Sequence, residues 1–372
     1  MPTWYRYALH PRAPVVVLAV IVVAWTTWRL ATLTNAPFEG PDMHVIIGTL
    51  EADHSAAAIA SWFTGPWVQS DDYYRPLTSL VHLMDYHLWG DRPWGWRVTT
   101  TLIISLSMLA MAWAVWQAFG DRWWAVASAG LLPLINPIDR VPLWPAWRTD
   151  ALCGLFLLIA TGAALGRHPA RWRIPVTLAA LLLALVSKES AFIWPAFLAA
   201  ALLVSGDHLR KWPLLLATVA LTGSVWLLRV HLLGHPLLGS APMHVNTPLE
   251  GQLWRYWAFL MGPIIWHLTA TYPAYIGAPF SMLLPGFARV VLGDLAFIGA
   301  NVLLIVSGLR IFAIIWVWRL IMYLPSLPFV AMFDFYEYLP MLGTVMLYGI
   351  GAVEAIRRIA LRLKLQEALD HA

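Results

Sequence analysis

Charge is scarce in this chain. Only 12% of its 372 residues are charged while 60% are hydrophobic, against about a quarter charged in soluble domains. That scarcity excludes an ordinary soluble globule and makes the bilayer the natural solvent. Cysteine is nearly missing as well: Cys153 is the single one. It lies inside an apolar run, which excludes an intrachain disulfide and argues for a small packed residue rather than thiol chemistry. A phosphate-binding glycine loop, a zinc framework of spaced Cys and His, and a serine-nucleophile motif are all absent. So are internal repeats and low-complexity tracts. The formal charge of +4 does not point to nucleic acid, because most Arg and Lys stand beside apolar segments, where they set membrane orientation.

What the chain has in abundance is apolar runs. A spanning helix needs about 20 apolar residues, and apolar segments occupy 13–33, 98–119, 123–136, 151–166, 174–186, 190–205, 213–232, 288–309, 311–328 and 338–356. The fold class that follows is an all-α polytopic membrane protein, a bundle of about ten transmembrane helices with a large outer first loop. The first run comes after Arg6 and Arg12 and continues to Leu33 without a clear cleavage site, so it reads as a retained signal anchor. Basic residues mark alternate connections: Arg122, then Arg167, Arg171 and Arg173, then Arg210 with Lys211, Arg310, and finally Arg357, Arg358, Arg362 and Lys364. By the positive-inside rule these connections and both termini are cytoplasmic. The assignment requires 233–287 to stay outside as one interfacial or re-entrant region, which is tolerated at membrane depth where backbone lines a cavity. Residues 1–356 then form a single transmembrane domain and 357–372 a short basic cytoplasmic tail.

The outer first loop, 34–97, concentrates polar chemistry. It holds eight of the 20 acidic residues, Glu39, Asp42, Glu51, Asp53, Asp71, Asp72, Asp85 and Asp91, opposed by Arg75, Arg92 and Arg97. Trp62, Trp67, Trp89, Trp94, Trp96, Tyr73, Tyr74 and Tyr86 are mixed among them. Flat rings that cover the apolar faces of a sugar, beside carboxylates that accept from its hydroxyls, suit a polyhydroxylated ligand. An aromatic belt at the headgroup level is the bland alternative.

Within this loop Asp42, three residues after Glu39, follows a Gly40-Pro41 turn just beyond the first span. There a carboxylate is placed to act as general base on an acceptor hydroxyl, or else to cap the next helix. Asp71-Asp72-Tyr73-Tyr74-Arg75-Pro76-Leu77 is the densest polar motif, and the Arg75 guanidinium matches phosphate oxygens unless it merely pairs with an Asp to fold the loop. Further along stand Asn136-Pro137-Ile138-Asp139-Arg140, Arg148-Thr149-Asp150 and Ser187-Lys188-Glu189, then Phe333-Asp334-Phe335-Tyr336-Glu337-Tyr338-Leu339-Pro340. Ionisable groups at the ends of spans are expensive unless paired or used, so each group is a site hypothesis. Glu51-Ala52-Asp53-His54 offers metal-ligand types without a spaced partner.

In this order the motifs resemble the GT-C superfamily of polyprenyl-phosphate-sugar-dependent glycosyltransferases, and within it bacterial relatives of the transmembrane-and-tetratricopeptide O-mannosyltransferases. Tyr73-Tyr74-Arg75-Pro76-Leu77-Thr78 is similar to that branch's Tyr-Arg-Pro-Leu-Thr. Asp85-Tyr86 with Pro93-Trp94-Gly95 follows its Asn/Asp-Tyr and Pro-Phe-Gly, Arg148-Thr149-Asp150 its Arg-Ala-Asp, Ser187-Lys188-Glu189 its Ser-Lys-Glu, and 336–340 its Tyr-Leu-Tyr-Leu-Pro. Where the family has His before Pro this chain has Asn136, and where it has Arg before Tyr-Leu-Tyr this chain has Phe335. The tetratricopeptide repeats have no counterpart within these residues.

The resemblance implies a multi-pass enzyme of the bacterial inner membrane that transfers a sugar, with inversion, from a polyprenyl-phosphate donor. The acceptor would be a glycan, lipid or protein hydroxyl on the outer side, and a divalent cation would be optional. It implies Asp42 as the general base, with Glu39 beside it as a second catalytic carboxylate, and Arg75, Arg148 and Lys188 as contacts to the donor phosphate. Asp71, Asp72, Tyr73, Tyr74, Asp150, Glu189, Tyr336 and Tyr338 would bind substrate. Two other readings compete: a transporter or lipid-linked-glycan flippase, which would show interrupted half-repeats with ionisable residues near the bilayer midplane, and an inactive family member that serves as a scaffold.

Overall fold

The computed structural model describes residues 12–38, 42–67, 72–134, 141, 143–167, 171–206, 208–234, 286–326 and 337–370. Among them there is no strand, and the helices in chain order are α1 (Ala13–Thr32), α2 (Asp42–Ala52), α3 (Ala56–Thr64), α4 (Pro76–Trp89), α5 (Pro93–Phe119), α6 (Arg122–Leu131), α7 (Arg148–Leu165), α8 (Arg173–Leu185), α9 (Trp194–Ser205), α10 (His208–Leu233), α11 (Gly286–Ser307), α12 (Leu309–Tyr323) and α13 (Tyr338–Asp370). Short 3-10 segments at Leu132–Leu134, Pro145–Trp147, Glu189–Ile193 and Leu324–Ser326 join them.

Five of these elements are long and apolar enough to cross a membrane: Ala13–Thr32, Pro93–Phe119, Pro145–Leu165, Lys211–Leu233 and Tyr338–Leu363. Of the other apolar segments, several are helical but shorter. At about 1.5 Å per residue, α8 with 13 residues and α9 with 12 fall below the hydrocarbon thickness of about 30 Å. The apolar stretch expected at 123–136 is an α-helix only as far as Leu131, because Pro133 has no N–H to continue the ladder and the chain tightens into a 3-10 turn. At the other end of the chain, the basic segment after 356 is no separate tail among the described residues: α13 runs through it without a break to Asp370. Nearly all of the 233–287 region lies outside the described residues.

Helix α7 is buried along almost its whole circumference, as expected of an element that is apolar on every face. It packs between α5 and α8, while α13 lies across α6, α11 and α12. Its two ends differ chemically. At the C-terminal end, where carbonyls lack helical partners, Arg173 donates to the carbonyls of Gly162 and Ala163 (3.4 and 3.1 Å), and Lys211 to those of Ala164 and Gly166 (3.1 and 3.4 Å). Arg173 also reaches Gln117 at 2.8 Å. Nearby, Asp121 caps α6 through the amides of Trp123 and Trp124 and pairs with Arg357 of α13 at 2.7 Å. Arg173 and Lys211 thus meet at this end of α7. The N-terminal end of α7 carries Arg148 and Asp150 and faces the other way.

Close helix packing depends on small residues. A Cβ on Gly349 of α13 would sit 2.6 Å from the backbone of Ser128 in α6. Gly349→Ala should therefore push the two helices apart and cost about 1–3 kcal/mol. The check is thermal unfolding in detergent, where an unchanged midpoint would show that the contact carries no load.

Candidate functional site

Pro76 opens α4 at its first position, where its missing N–H costs nothing, and leaves Arg75 just outside the helix. The α4 entrance is tied to the break after α8: the Leu77 amide donates to the Val186 carbonyl at 3.2 Å, and the Thr78 hydroxyl to the Ser187 carbonyl at 3.2 Å. These contacts bring Arg75 onto Glu189, 114 residues away in the chain. Its Nε and Nη2 donate to Oε2 at 3.0 and 2.6 Å, and Nε also approaches Oε1 at 3.2 Å. The guanidinium lies in the corner of two edge-to-face rings, 4.2 Å from the centroid of Tyr73 and 4.6 Å from that of Trp67, so cation–π attraction holds it as well.

One helical stretch deeper, Asp85 of α4 pairs with Arg148 of α7 at 2.6 Å, both side chains fully enclosed. The carboxylate also accepts from Thr99 at 2.5 Å. Arg148 donates to the Trp96 carbonyl at 2.9 Å and to the Thr100 hydroxyl. His82, one turn before Asp85, is fully buried between the rings of Trp67 and Trp96. Burial first, and the positive charge of Arg148 second, hold its imidazole well below the ordinary histidine range, so the ring is neutral.

The third pair joins Lys188 to both carboxylate oxygens of Asp150 at 2.5 Å. Exposure rises from one pair to the next: 0% for both members of Arg148–Asp85, 6% and 3% for Lys188–Asp150, and 10% and 15% for Arg75–Glu189. Arg75 and Glu189 thus form the rim, and the other two pairs lie behind it.

Most of the residues expected from the sequence converge here. Arg75, Arg148, Lys188, Asp150 and Glu189 are members of the three pairs. Tyr73 stacks on Arg75, and burial pushes its hydroxyl up from the ordinary range. Asp72 is half-buried beside them. Tyr74 turns away and donates to the Phe63 carbonyl at 3.2 Å, which makes it a loop-folding residue. Tyr338 opens α13 fully enclosed, its ring against Gly154 of α7, a packing position rather than an open face. Asp42 is the first residue of α2 and half-buried. The next residue, Met43, packs with Trp67, Trp96 and Ala146, the aromatic layer that also carries Arg75 and Arg148. Among the described residues Asp42 makes no ion pair with Arg75, Arg148 or Lys188. Glu39, Asp71 and Tyr336 lie outside the described residues, as do Asn136 and Phe335.

Three participants were not singled out as site residues in the sequence. Asp85 appears there only as a loop acid within a motif, and His82 stands in none of the motifs. Arg229 lies in the middle of an apolar run. It is buried on α10, donates to the Asp72 carbonyl at 3.1 Å and stands within electrostatic reach of Glu189, Arg75 and Tyr73. For a metal the described residues offer no group of three or more ligand side chains. In the Glu51–His54 stretch, Asp53 accepts from the Ser55 amide, which lowers its pKa, and His54 Nδ1 donates to the Leu50 carbonyl.

Comparisons of the chain with known protein families, with curated proteins and with solved structures yield no match in any of the three.

Two outcomes follow from the enclosed groups. Arg148→Met strands the Asp85 carboxylate, and should cost about 3–5 kcal/mol, whereas Asp85→Leu combined with Arg148→Met should recover most of the loss. A double variant no more stable than the single one, by thermal unfolding in detergent, would show that the two are not coupled. His82 has a folded pKa below its unfolded value, so the unfolded chain binds the extra proton. Stability is therefore full above about pH 6.5 and falls as pH drops below it. The unfolding midpoint of His82→Phe should be flatter than wild type between about pH 7 and pH 5, and parallel curves would remove His82 from this role.

Proposed function

We propose that this chain is a membrane glycosyltransferase that moves a sugar from a polyprenyl-phosphate donor to an acceptor hydroxyl at the outer end of its bundle. The observation that carries the reading is the convergence of the resembling segments. Those around Arg75, Asp85, Arg148 and Lys188-Glu189 are scattered along the chain, yet they meet as three ion pairs at one end of α7. Buried pairs are no route to stability in a protein whose solvent is lipid, since desolvation offsets their attraction, and ionisable groups in such a setting are kept for function.

In the proposed reaction the acceptor oxygen attacks the anomeric carbon in line with the bond to the lipid phosphate, inverting that centre. The bond breaks toward the phosphate, which leaves as an anion, and the acceptor proton passes to the Asp42 carboxylate. Arg75 at the rim meets the departing phosphate, because its fork geometry suits phosphate oxygens and its two flanking rings hold it in place. Enclosed as they are, Arg148 and Lys188 position α4 and the 187–189 turn. The aromatic layer of Trp67 and Trp96 supports the sugar side. Glu39 remains in the proposal as the catalytic carboxylate beside Asp42, and Asp71 and Tyr336 as substrate contacts. The accompanying topology is about ten helical passes or half-passes in a bacterial inner membrane, with the cationic end of α7 toward the cytoplasm and both termini there. A glycan, a lipid or a protein can supply the hydroxyl, and a divalent cation is optional.

One observation favours the scaffold reading: the cations of the three pairs each already face a carboxylate. Asp42→Asn separates the two. In the enzyme it should lower the transfer rate from a polyprenyl-phosphate hexose by about 10²–10⁴-fold while the unfolding midpoint stays put. Full transfer by the folded variant would sink the base assignment, and a wild-type chain that transfers nothing would support the scaffold.

A further inference from the structure

The rim pair has a feature that a plain phosphate contact does not require. Glu189 presents its carboxylate to Arg75 through three close approaches of 2.6–3.2 Å. Carboxylate and phosphate present similar pairs of oxygens to a guanidinium fork. On the other flank Arg229 reaches in from α10, held at the Asp72 carbonyl and within electrostatic reach of the same Glu189.

We propose that Arg75 and Arg229 form a two-guanidinium clamp for a phosphate group, and that Glu189 is its built-in competitor, an internal anion that closes the clamp until a ligand phosphate displaces it. This rests on the polyprenyl-phosphate reading for the identity of the ligand, but not for the clamp itself.

Three features make exchange feasible. First, the Arg75 guanidinium does not depend on Glu189 alone for its position, since it also lies 4.2 and 4.6 Å from the rings of Tyr73 and Trp67, which meet edge to face. Its place survives when the carboxylate leaves. Second, Glu189 is the most exposed member of the three pairs at 15%, so it leaves toward water and suffers no burial as an uncompensated charge. Third, it sits at the start of a 3-10 turn, Glu189–Ile193, directly after the extended Lys188. Lys188 stays anchored on Asp150 at 2.5 Å, so the neighbouring side chain can swing while the backbone is held. Arg148 lacks these freedoms, being fully enclosed with Asp85.

A clamp closed by its own carboxylate lowers apparent affinity by the fraction of time it stands open: open about a tenth of the time, it binds about tenfold more weakly than its intrinsic affinity. Glu189→Gln removes the competing charge at nearly constant shape. It should bind farnesyl phosphate about tenfold more tightly than wild type. Arg229→Met should bind it more weakly than wild type, and Arg229→Met in the Glu189→Gln background should lose most of the gain. Should Glu189→Gln fail to fold, Glu189→Asp keeps the charge but shortens the reach, and its affinity should still exceed that of wild type. Binding by calorimetry of the full chain in detergent reads all of these, with inorganic phosphate as a parallel probe. If wild type binds farnesyl phosphate and Glu189→Gln binds it equally or less well, the competitor role is overturned and the lipid-phosphate reading stands. If inorganic phosphate follows the expected order while farnesyl phosphate binds to neither form, the clamp stands and the polyprenyl-phosphate donor falls.

Discussion

The three ion pairs form a closed circuit. Asp85 on α4 holds Arg148 on α7, and Asp150, two residues along α7, holds Lys188. Glu189 follows Lys188 in the chain and returns to Arg75 at the entrance of α4. Each pair therefore fixes the distance that the next one has to span, and the backbone segments they join are held in one register. In water such pairs contribute little. Enclosed, they make the removal of any one partner costly, and so impose a single arrangement on elements that apolar packing would let slide. The aromatic layer under α2, the entrance of α4 and the turn after α8 all take their places from this circuit.

Helix α7 connects the circuit to the opposite end of the bundle. Asp150 lies in its first turn, where the helix dipole favours an anion, and Arg173 and Lys211 lie at its last carbonyls, where it favours cations. The same dipole thus stabilises both ends in opposite senses. An 18-residue helix is roughly 27 Å long, close to the hydrocarbon thickness of a bilayer, so the two polar ends stand about one membrane apart.

How much of this could be read from the sequence varies with the range of the interactions. The positions of the motifs were legible, because a charged triplet such as Ser187-Lys188-Glu189 between apolar runs has few uses. The break it marks is there, with α8 ending at Leu185 and a 3-10 turn after it. Their pairing was not legible: nothing local says that Arg75 finds Glu189 rather than Asp71 or Asp72 beside it. Arg229 was hidden for a different reason. It stands in Trp226-Leu227-Leu228-Arg229-Val230, which averages as membrane-spanning, and its observed acceptor is a backbone carbonyl 157 residues away, for which a sequence carries no signal. Segment lengths erred where one proline mattered, as at Pro133, since hydropathy counts its side chain and ignores its missing donor.

The placement of α1 bears on how the protein is made. Pro14 is its only buried residue and the rest are exposed or half-buried, and its fixed points are α5 and α6, including the Thr26 hydroxyl against that of Ser105 at 2.8 Å. Those partners lie 79 residues further along the chain. α1 is long and apolar enough to stand in a bilayer without these neighbours, as the two-stage view of membrane folding allows. The segment with α2, α3 and α4 lies between α1 and those partners in the chain. Assembly of the ion-pair end is therefore timed by translation: the segment bearing Asp42 and Arg75 is made before the helices that complete its ion pairs exist.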